Sequence, residues 1–380
     1  LCFIGTSAVR LWSHGTVERL KLQFARAGIA GTIDESRIHD HRGPIILLRA
    51  NAVLDQPLIP ILIERANILL ITDEIEGKLP IAAHVAAADA ACVAELLKNG
   101  KPPGPLPQLL VRSPSGLDAA FWKNLRKREV PYALVVDERN KRDVEWRSFM
   151  GTYKGATDIV TKRLWPVPAF HVTRALASTP VTPNIVTALA GVLVLAAFFL
   201  FLNGHYAFGL AAAWLMTFLD TVDGKLARTT LTASKWGDVF DHGIDLIHPP
   251  FWYISWAIGL EAAGFDWSAD TQWWVLGTIL GGYVLQRLME GIAIKWLGME
   301  IHIWRPLDTF FREITARRNP NLIILTLSVL LGRPDLGLLA VAVWTAICLV
   351  LHAAQLAHAL MIKGRNGHLA SWMRGPVNPK

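Results

Sequence analysis

Cysteine is scarce in this chain, with three residues in 380 (Cys2, Cys92 and Cys348). They stand far apart, without the close spacing of a metal knuckle and without the number that a disulfide framework needs. Neither role is open to them. Charge is scarce too, at 18% of residues against 52% hydrophobic, but that average hides a split. Up to about residue 165 the chain reads as soluble, whereas from Asn184 onward long uncharged runs dominate. A length of 380 residues allows two domains. The opening LCFIGTSAVR predicts no signal peptide, because its apolar stretch is short and already polar by Ser7. The net charge of +7 need not mean nucleic acid. In a chain with long apolar runs it reads more simply as cytoplasmic lysines and arginines facing anionic lipid head groups, with no nucleic-acid partner.

The stretch that organises the sequence is DTVDGKLARTTLTASKWGDVFDHGID, Asp220 to Asp245. It has two pairs of carboxylates, Asp220 with Asp223 and Asp241 with Asp245. Spacings of three and four put each pair on one face of a helix. Two such helix ends facing each other would offer four oxygen-rich side chains to one small volume. That suits one or two hard cations, Mg²⁺ or Mn²⁺. The apolar run Tyr206–Leu219 leads straight into the first acid, so the cluster sits at the end of an expected membrane helix, where acids mark function.

These residues carry a resemblance. The pattern Asp220-x2-Asp223-Gly224-x2-Ala227-Arg228-x8-Gly237-x3-Asp241-x3-Asp245 is similar, position for position, to the signature of the CDP-alcohol phosphotransferases. These are integral membrane enzymes that make phospholipids and related phosphodiesters. The resemblance implies that Asp220, Asp223 and Asp241 hold a first divalent ion, and that Asp220, Asp241 and Asp245 hold a second. Asp245 would also take the proton from the acceptor hydroxyl. It further implies that Gly224, Ala227 and Arg228 line the CDP pocket and that Ser234 touches phosphate or ribose. Gly224 and Gly237 would be needed where a Cβ would obstruct the nucleotide or a close helix crossing. The family's TPN-x-x-T opening is matched at residues 182–187, so Asn184 and Thr187 are either nucleotide contacts or plain helix-capping residues. The implied partners are a CDP-alcohol donor, an alcohol or alcohol-phosphate acceptor, membrane lipids and a second copy of the chain.

For the acceptor the residues leave alternatives open. Arg287 and Glu290 either pair, three residues apart, or line an acceptor pocket. Arg305, Arg312, Arg317 and Arg318 either bind a phosphorylated acceptor or reflect positive-inside bias. His242 and His248 lie near the acids, and His242 is expected to pack or hydrogen-bond.

The fold expected is multidomain. Residues 1–153 alternate strands (Leu1–Ile4, Pro44–Arg49, Ile68–Thr72, Ile81–Val85, Tyr132–Asp137) with helices (Thr16–Ala27, Pro57–Arg65, Ala86–Lys98, Ala119–Lys127), predicting an α/β layer with a largely parallel sheet and a loop at Gly100–Pro107. IGTSAVRLW and ILLRANAVLDQPLI resemble a worn sugar-phosphate nucleotidyltransferase domain. Only Gly5 remains of that family's Gly-rich loop, and Asn51 stands where a metal-binding Asp belongs. Loss of catalysis is the expectation, with an active cytidylyltransferase as the alternative; Arg10, Arg19 and Lys21 are candidate phosphate contacts. Residues 154–183 read as a junction with an interfacial amphipathic helix. Residues 184–380 read as an all-α membrane domain of six spans, about 185–203, 206–222, 239–262, 271–297, 320–333 and 335–362. Loop charges place both termini and the acidic stretch on the cytoplasmic side of the inner membrane. An ion transporter with an acidic site is the rival class, and it leaves the Gly and Ala-Arg spacings unexplained.

Overall fold

Ile45–Arg49 is an unbroken apolar run ending in one arginine, the pattern of a strand covered on both faces. A computed structural model describes the chain except residues 74–77, 102–107, 118–119 and 375–380, and except the side chains of Lys235, Asp238, Asp241 and His242. It divides into two units. The first is Leu1–Tyr153 together with Arg228–Leu231, and the second is Lys154–Ala227 with the chain from Thr232 on.

In the first unit the run is the second strand of a five-stranded sheet: β1 (Cys2–Ile4), β2 (Ile45–Arg49), β3 (Ile68–Ile71), β4 (Pro80–Val85) and β5 (Leu110–Arg112), in the order β1-β2-β4-β3-β5. Ile46 and Leu48 point to one face and pack with helices α1 (Thr16–Arg26) and α2 (Leu58–Glu64). Ile45 and Leu47 point to the other, toward α3 (Ala87–Asn99). That is the period-two alternation of a pleated strand. Helix α4 (Lys141–Gly151) closes this part of the chain.

The largely parallel sheet expected above is corrected to a mixed one. β1–β2 and β3–β5 are parallel, but β4 runs antiparallel to both β2 and β3. The link between β3 and β4 is shorter than the dozen or so residues that a parallel crossover needs. The expected helix Ala119–Lys127 is also corrected. Phe121–Trp122 pairs antiparallel with Lys127–Arg128 across a short 3₁₀ turn, with Arg126 left-handed at φ 48°; residue 119 lies outside the described residues. Ala133–Val135 is a strand as expected, but it pairs with Ala52–Leu54 outside the main sheet. Of the expected loop Gly100–Pro107, residues 102–107 lie outside the described ones.

Asp55 is buried beside the Lys127 ammonium, and burial pushes its carboxyl up to about 6 against the pull of that lysine. The folded chain therefore holds this proton more tightly than the unfolded one. The stability it contributes is full below about pH 4 and is lost as pH rises through about 6. Asp55→Asn is expected to remove that loss. At pH 8 the variant's first unit should withstand unfolding by about 2 kcal/mol more than the parent, with the gap closing toward pH 4. Urea-dependent proteolysis of the full chain at the two pH values, read as cleavage within residues 1–153, checks this.

The second unit is mostly helical. A π-helical turn (Val160–Leu164) leads into α5 (Pro166–Ala177), followed by α6 (Pro183–Leu202), α7 (Tyr206–Thr229), α8 (Lys235–Ala262), α9 (Ala269–Ile292), α10 (Pro306–Ile314), α11 (Arg318–Leu330) and α12 (Pro334–Asn366). Thr182 caps α6 by accepting from the Ile185 N–H, and Pro183 occupies the first turn where its missing donor is harmless. The core gathers Phe201, Met216, Trp256, Ile279, Leu325 and Val341 from α6, α7, α8, α9, α11 and α12. Trp256 is fully buried and donates its indole N–H to the Pro334 carbonyl at 3.1 Å. Pro249 and Pro250 lie inside α8 without ending it. Among the described residues, α6 and α12 are long and apolar enough to cross a membrane. Much of the outward surface is apolar, including Phe208, Trp273, Trp274, Leu330 and Leu331.

Candidate active site

Helix α7 changes from apolar to acidic at Asp220, and three residues later Asp223 is buried at 3% exposure. A buried carboxylate needs donors. Asp223 receives the Thr187 hydroxyl on Oδ2 at 2.6 Å, from α6, and its Oδ1 accepts the Gly224 N–H. Helix α8 begins at Ser234, whose Oγ caps it by accepting the Gly237 N–H at 3.0 Å. Asp245 follows about three turns after Ser234.

The first residue of α11 connects the two acidic helices. Arg318 donates Nη2–H to Asp220 Oδ2 at 2.5 Å and Nη1–H to Asp245 Oδ1. One guanidinium thus bridges α7 and α8, and Asp223 lies within electrostatic range of both Asp220 and Asp245. His248 donates Nδ1–H to the Ile244 carbonyl at 2.7 Å and stands within range of Asp220 and Arg318. The side chains of Asp241 and His242 lie outside the described residues; their backbone lies in α8, with Asp241 one turn before Asp245.

Asn184, Ser234 and Gly237 also come together. A Cβ at Gly237 would stand 3.1 Å from Asn184 Oδ1 and 3.2 Å from Ser234 Oγ, so the absence of a side chain there admits the approach of α6. Thr187, expected at the nucleotide or as a cap, spends its hydroxyl on Asp223. Gly224 and Ala227 are half-buried on α7, and Arg228 falls in the first unit.

The acceptor-candidate arginines separate into three places. Arg318 belongs to the carboxylates. Arg287 donates Nη1–H to Glu290 Oε2 at 3.0 Å, and Arg317 also bonds Glu290. His302 faces the same carboxylate at 3.1 Å, and Arg312 lies within range of His302 and His352. Arg305 pairs with Asp308 and stacks on Trp304.

Among the described residues no three of His, Cys, Asp and Glu form a ready metal cage. The donor set nevertheless fits a hard divalent cation. It consists of carboxylate oxygens, and two of them already share one cationic group, the Arg318 guanidinium. Sequence reasoning missed the Arg318 bridge and the Thr187–Asp223 bond. The partners lie on different helices, and no spacing rule joins them.

The second unit is thus a mostly helical bundle with acids on two successive helices, joined by one guanidinium. The comparisons make this specific. Residues 180–316 match the family model for CDP-alcohol phosphatidyltransferase, so this segment is a domain of that family, as the signature implied. The chain is similar to choline/ethanolaminephosphotransferase 1 of Arabidopsis thaliana, at 40% identity over 80 residues, covering 20% of this chain and 18% of the relative. It is also similar to a bifunctional IPC transferase and DIPP synthase of Rubrobacter xylanophilus, at 31% identity over 167 residues, covering 43% of this chain and 35% of the relative. The matches thus span about a fifth and about a third of these relatives' lengths.

Proposed function

We propose that the chain is an integral membrane phosphotransferase that moves a substituted phosphate group from a CDP-linked donor to an acceptor hydroxyl and releases CMP. The observation that carries this is the gathering of Asp220 and Asp245 on one cationic group, with Asp223 beside them, inside the family-matched segment. Asp220, Asp223 and Asp241 would hold one divalent ion, Mg²⁺ or Mn²⁺, and Asp220, Asp241 and Asp245 a second. Bound there, such ions supply charge neutralisation for a pyrophosphate and its CMP leaving group. Thr187 fixes the rotamer of Asp223, keeping that carboxylate aimed. Asn184, Ser234, Gly237, Gly224, Ala227 and Arg228 form the nucleotide side of the site. Asp245, the most exposed of the three described acids at 40% of its side chain, would accept the acceptor's hydroxyl proton. Arg287, Arg312 and Arg317 form the acceptor side.

In this reading α6, α7, α8, α9, α11 and α12 are six spans, and residues 154–183 lie at the interface. The outward Trp273 and Trp274, each 78% exposed, support insertion as interfacial anchors. Both termini and the acids are cytoplasmic in the inner membrane, and two copies associate through residues 184–380. Residues 1–153 are a nucleotidyltransferase-like domain without catalysis. In support, the Gly5 N–H is committed to Glu35 at 3.0 Å, and Asn51 stands where a metal-binding Asp belongs. The name of the Rubrobacter relative carries two activities. CMP-linked product from CTP and an alcohol phosphate, formed by this chain alone, would make the first unit an active cytidylyltransferase instead.

The test is CMP release by the purified chain in lipid nanodiscs, with CDP-diacylglycerol and soluble CDP-alcohols as donors and alcohols and alcohol phosphates as acceptors. At least one pair is expected to yield CMP with Mg²⁺ or Mn²⁺; none doing so overturns the proposal. Thr187→Val, which deletes a hydrogen bond to a charged group, is expected to slow that release by roughly 10-fold without unfolding the bundle. An unchanged rate would remove Thr187 from the site.

A further inference from the structure

Helix α7 ends in an unusual way. The last carbonyls of a helix have no partner within it, and they form its negative pole. Here three successive carbonyls, of Thr229, Thr230 and Leu231, are each met by a cationic or imidazole side chain from the start of the chain. Arg19 donates to Thr229 O, His14 Nε2–H to Thr230 O at 3.0 Å, and Arg26 to Leu231 O. All six residues belong to the first unit. Arg19 and Arg26 are seven residues apart on α1, two turns along one face, and His14 sits in the short hairpin just before that helix. Arg19, a candidate phosphate contact by sequence, is instead 6% exposed with its guanidinium turned to the carbonyl.

The turn that these donors hold is itself strained. Leu231 is left-handed at φ 55°, where glycine or asparagine is usual, and the helix closes through the Thr232 N–H to Ala227 O at 2.9 Å. A leucine in that conformation needs support from outside the helix.

We propose that His14, Arg19 and Arg26 are positioning residues for the middle of the acidic signature. They pin residues 229–231, which separate Arg228 from Ser234, and so fix the spacing between the two groups of nucleotide-binding side chains. This rests on the reading above, in which Arg228 and Ser234 face the CDP moiety. These three side chains thereby act on donor affinity without touching the reacting atoms.

The experiment uses the full chain in nanodiscs. Arg26 is exposed, so Arg26→Met carries little folding risk; Arg19→Met and the double variant follow, with Leu231→Gly added to the double variant as a rescue. Two quantities are read: amide hydrogen exchange across 229–233, with Ile45–Arg49 as internal control, and the dissociation constant for CDP by titration calorimetry. In the double variant, exchange across the turn is expected to quicken at least 10-fold while the control strand is unchanged. CDP binding should weaken about 10-fold, with KM for the donor rising by the same factor and kcat nearly unchanged. Leu231→Gly, which relieves the left-handed strain, should recover most of both losses. Unchanged exchange in the double variant overturns the clamp. Faster exchange with unchanged CDP affinity overturns its positioning role. A parent chain that binds no CDP and releases no CMP overturns the functional reading instead, and the parent's own titration tells the two failures apart.

Discussion

Asp245→Asn is expected to slow CMP release by roughly 10³-fold, the loss typical of removing a positioned general base. Asparagine keeps an oxygen for the Arg318 guanidinium but cannot take a proton. The Asp220–Arg318 half of the bridge remains, so α7 and α11 stay linked. Donor KM is expected to rise as well, because Asp245 is also proposed to hold the second ion beside the pyrophosphate. Steady-state CMP release, with thermal unfolding run in parallel, separates the two effects. A loss below 10-fold in a folded variant would mean that Asp245 only pairs with Arg318.

The second large effect concerns the bundle. Where α6 ends against α8, a Cβ at Gly259 would stand 1.9 Å from the Phe201 carbonyl oxygen and 3.1 Å from its carbon. Those are backbone atoms, and they cannot rotate away. Overpacking of this kind costs about 3 kcal/mol, at the upper end for added methyl groups. Gly259→Ala is therefore expected to lower the thermal midpoint by about 10 °C. Gly277→Ala is the control: nothing lies within 4 Å of its Cβ position on α9, and alanine favours helix. A midpoint in Gly259→Ala equal to that of the control would mean that α6 and α8 do not meet this closely.

Helices were legible where period and apolar length coincide. α1, α3 and α6 begin and end within a residue or two of their expected bounds, with Thr182-Pro183 and Gly100 marking ends in the chain, whereas α12 runs four residues past its expected end to Asn366. Strand direction was legible only in part. The shortness of the β3–β4 link already favours an antiparallel pair, whereas the apolar runs of β2 and β4 read the same whichever way they pair. Ala119–Lys127 misled because its helix-favouring residues are overridden by pairing of Phe121 with Arg128. At the site, residues a turn apart on one helix could be grouped from the sequence, as Asp220 with Asp223. Contacts between helices could not: Arg318 was grouped with its arginine neighbours, when burial beside two carboxylates decides what it binds.

Divalent-ion binding by these aspartates of α7 and α8 is what the proposed chemistry needs most. Mn²⁺ binding to the purified chain, counted by the loss of the free-ion paramagnetic resonance signal, tests it without any assumption about donor or acceptor. In the presence of CDP the parent should bind Mn²⁺ saturably, and Asp220→Asn, which changes a shared ligand, should weaken binding at least 10-fold while remaining folded. Equal Mn²⁺ binding by parent and variant would contradict the account.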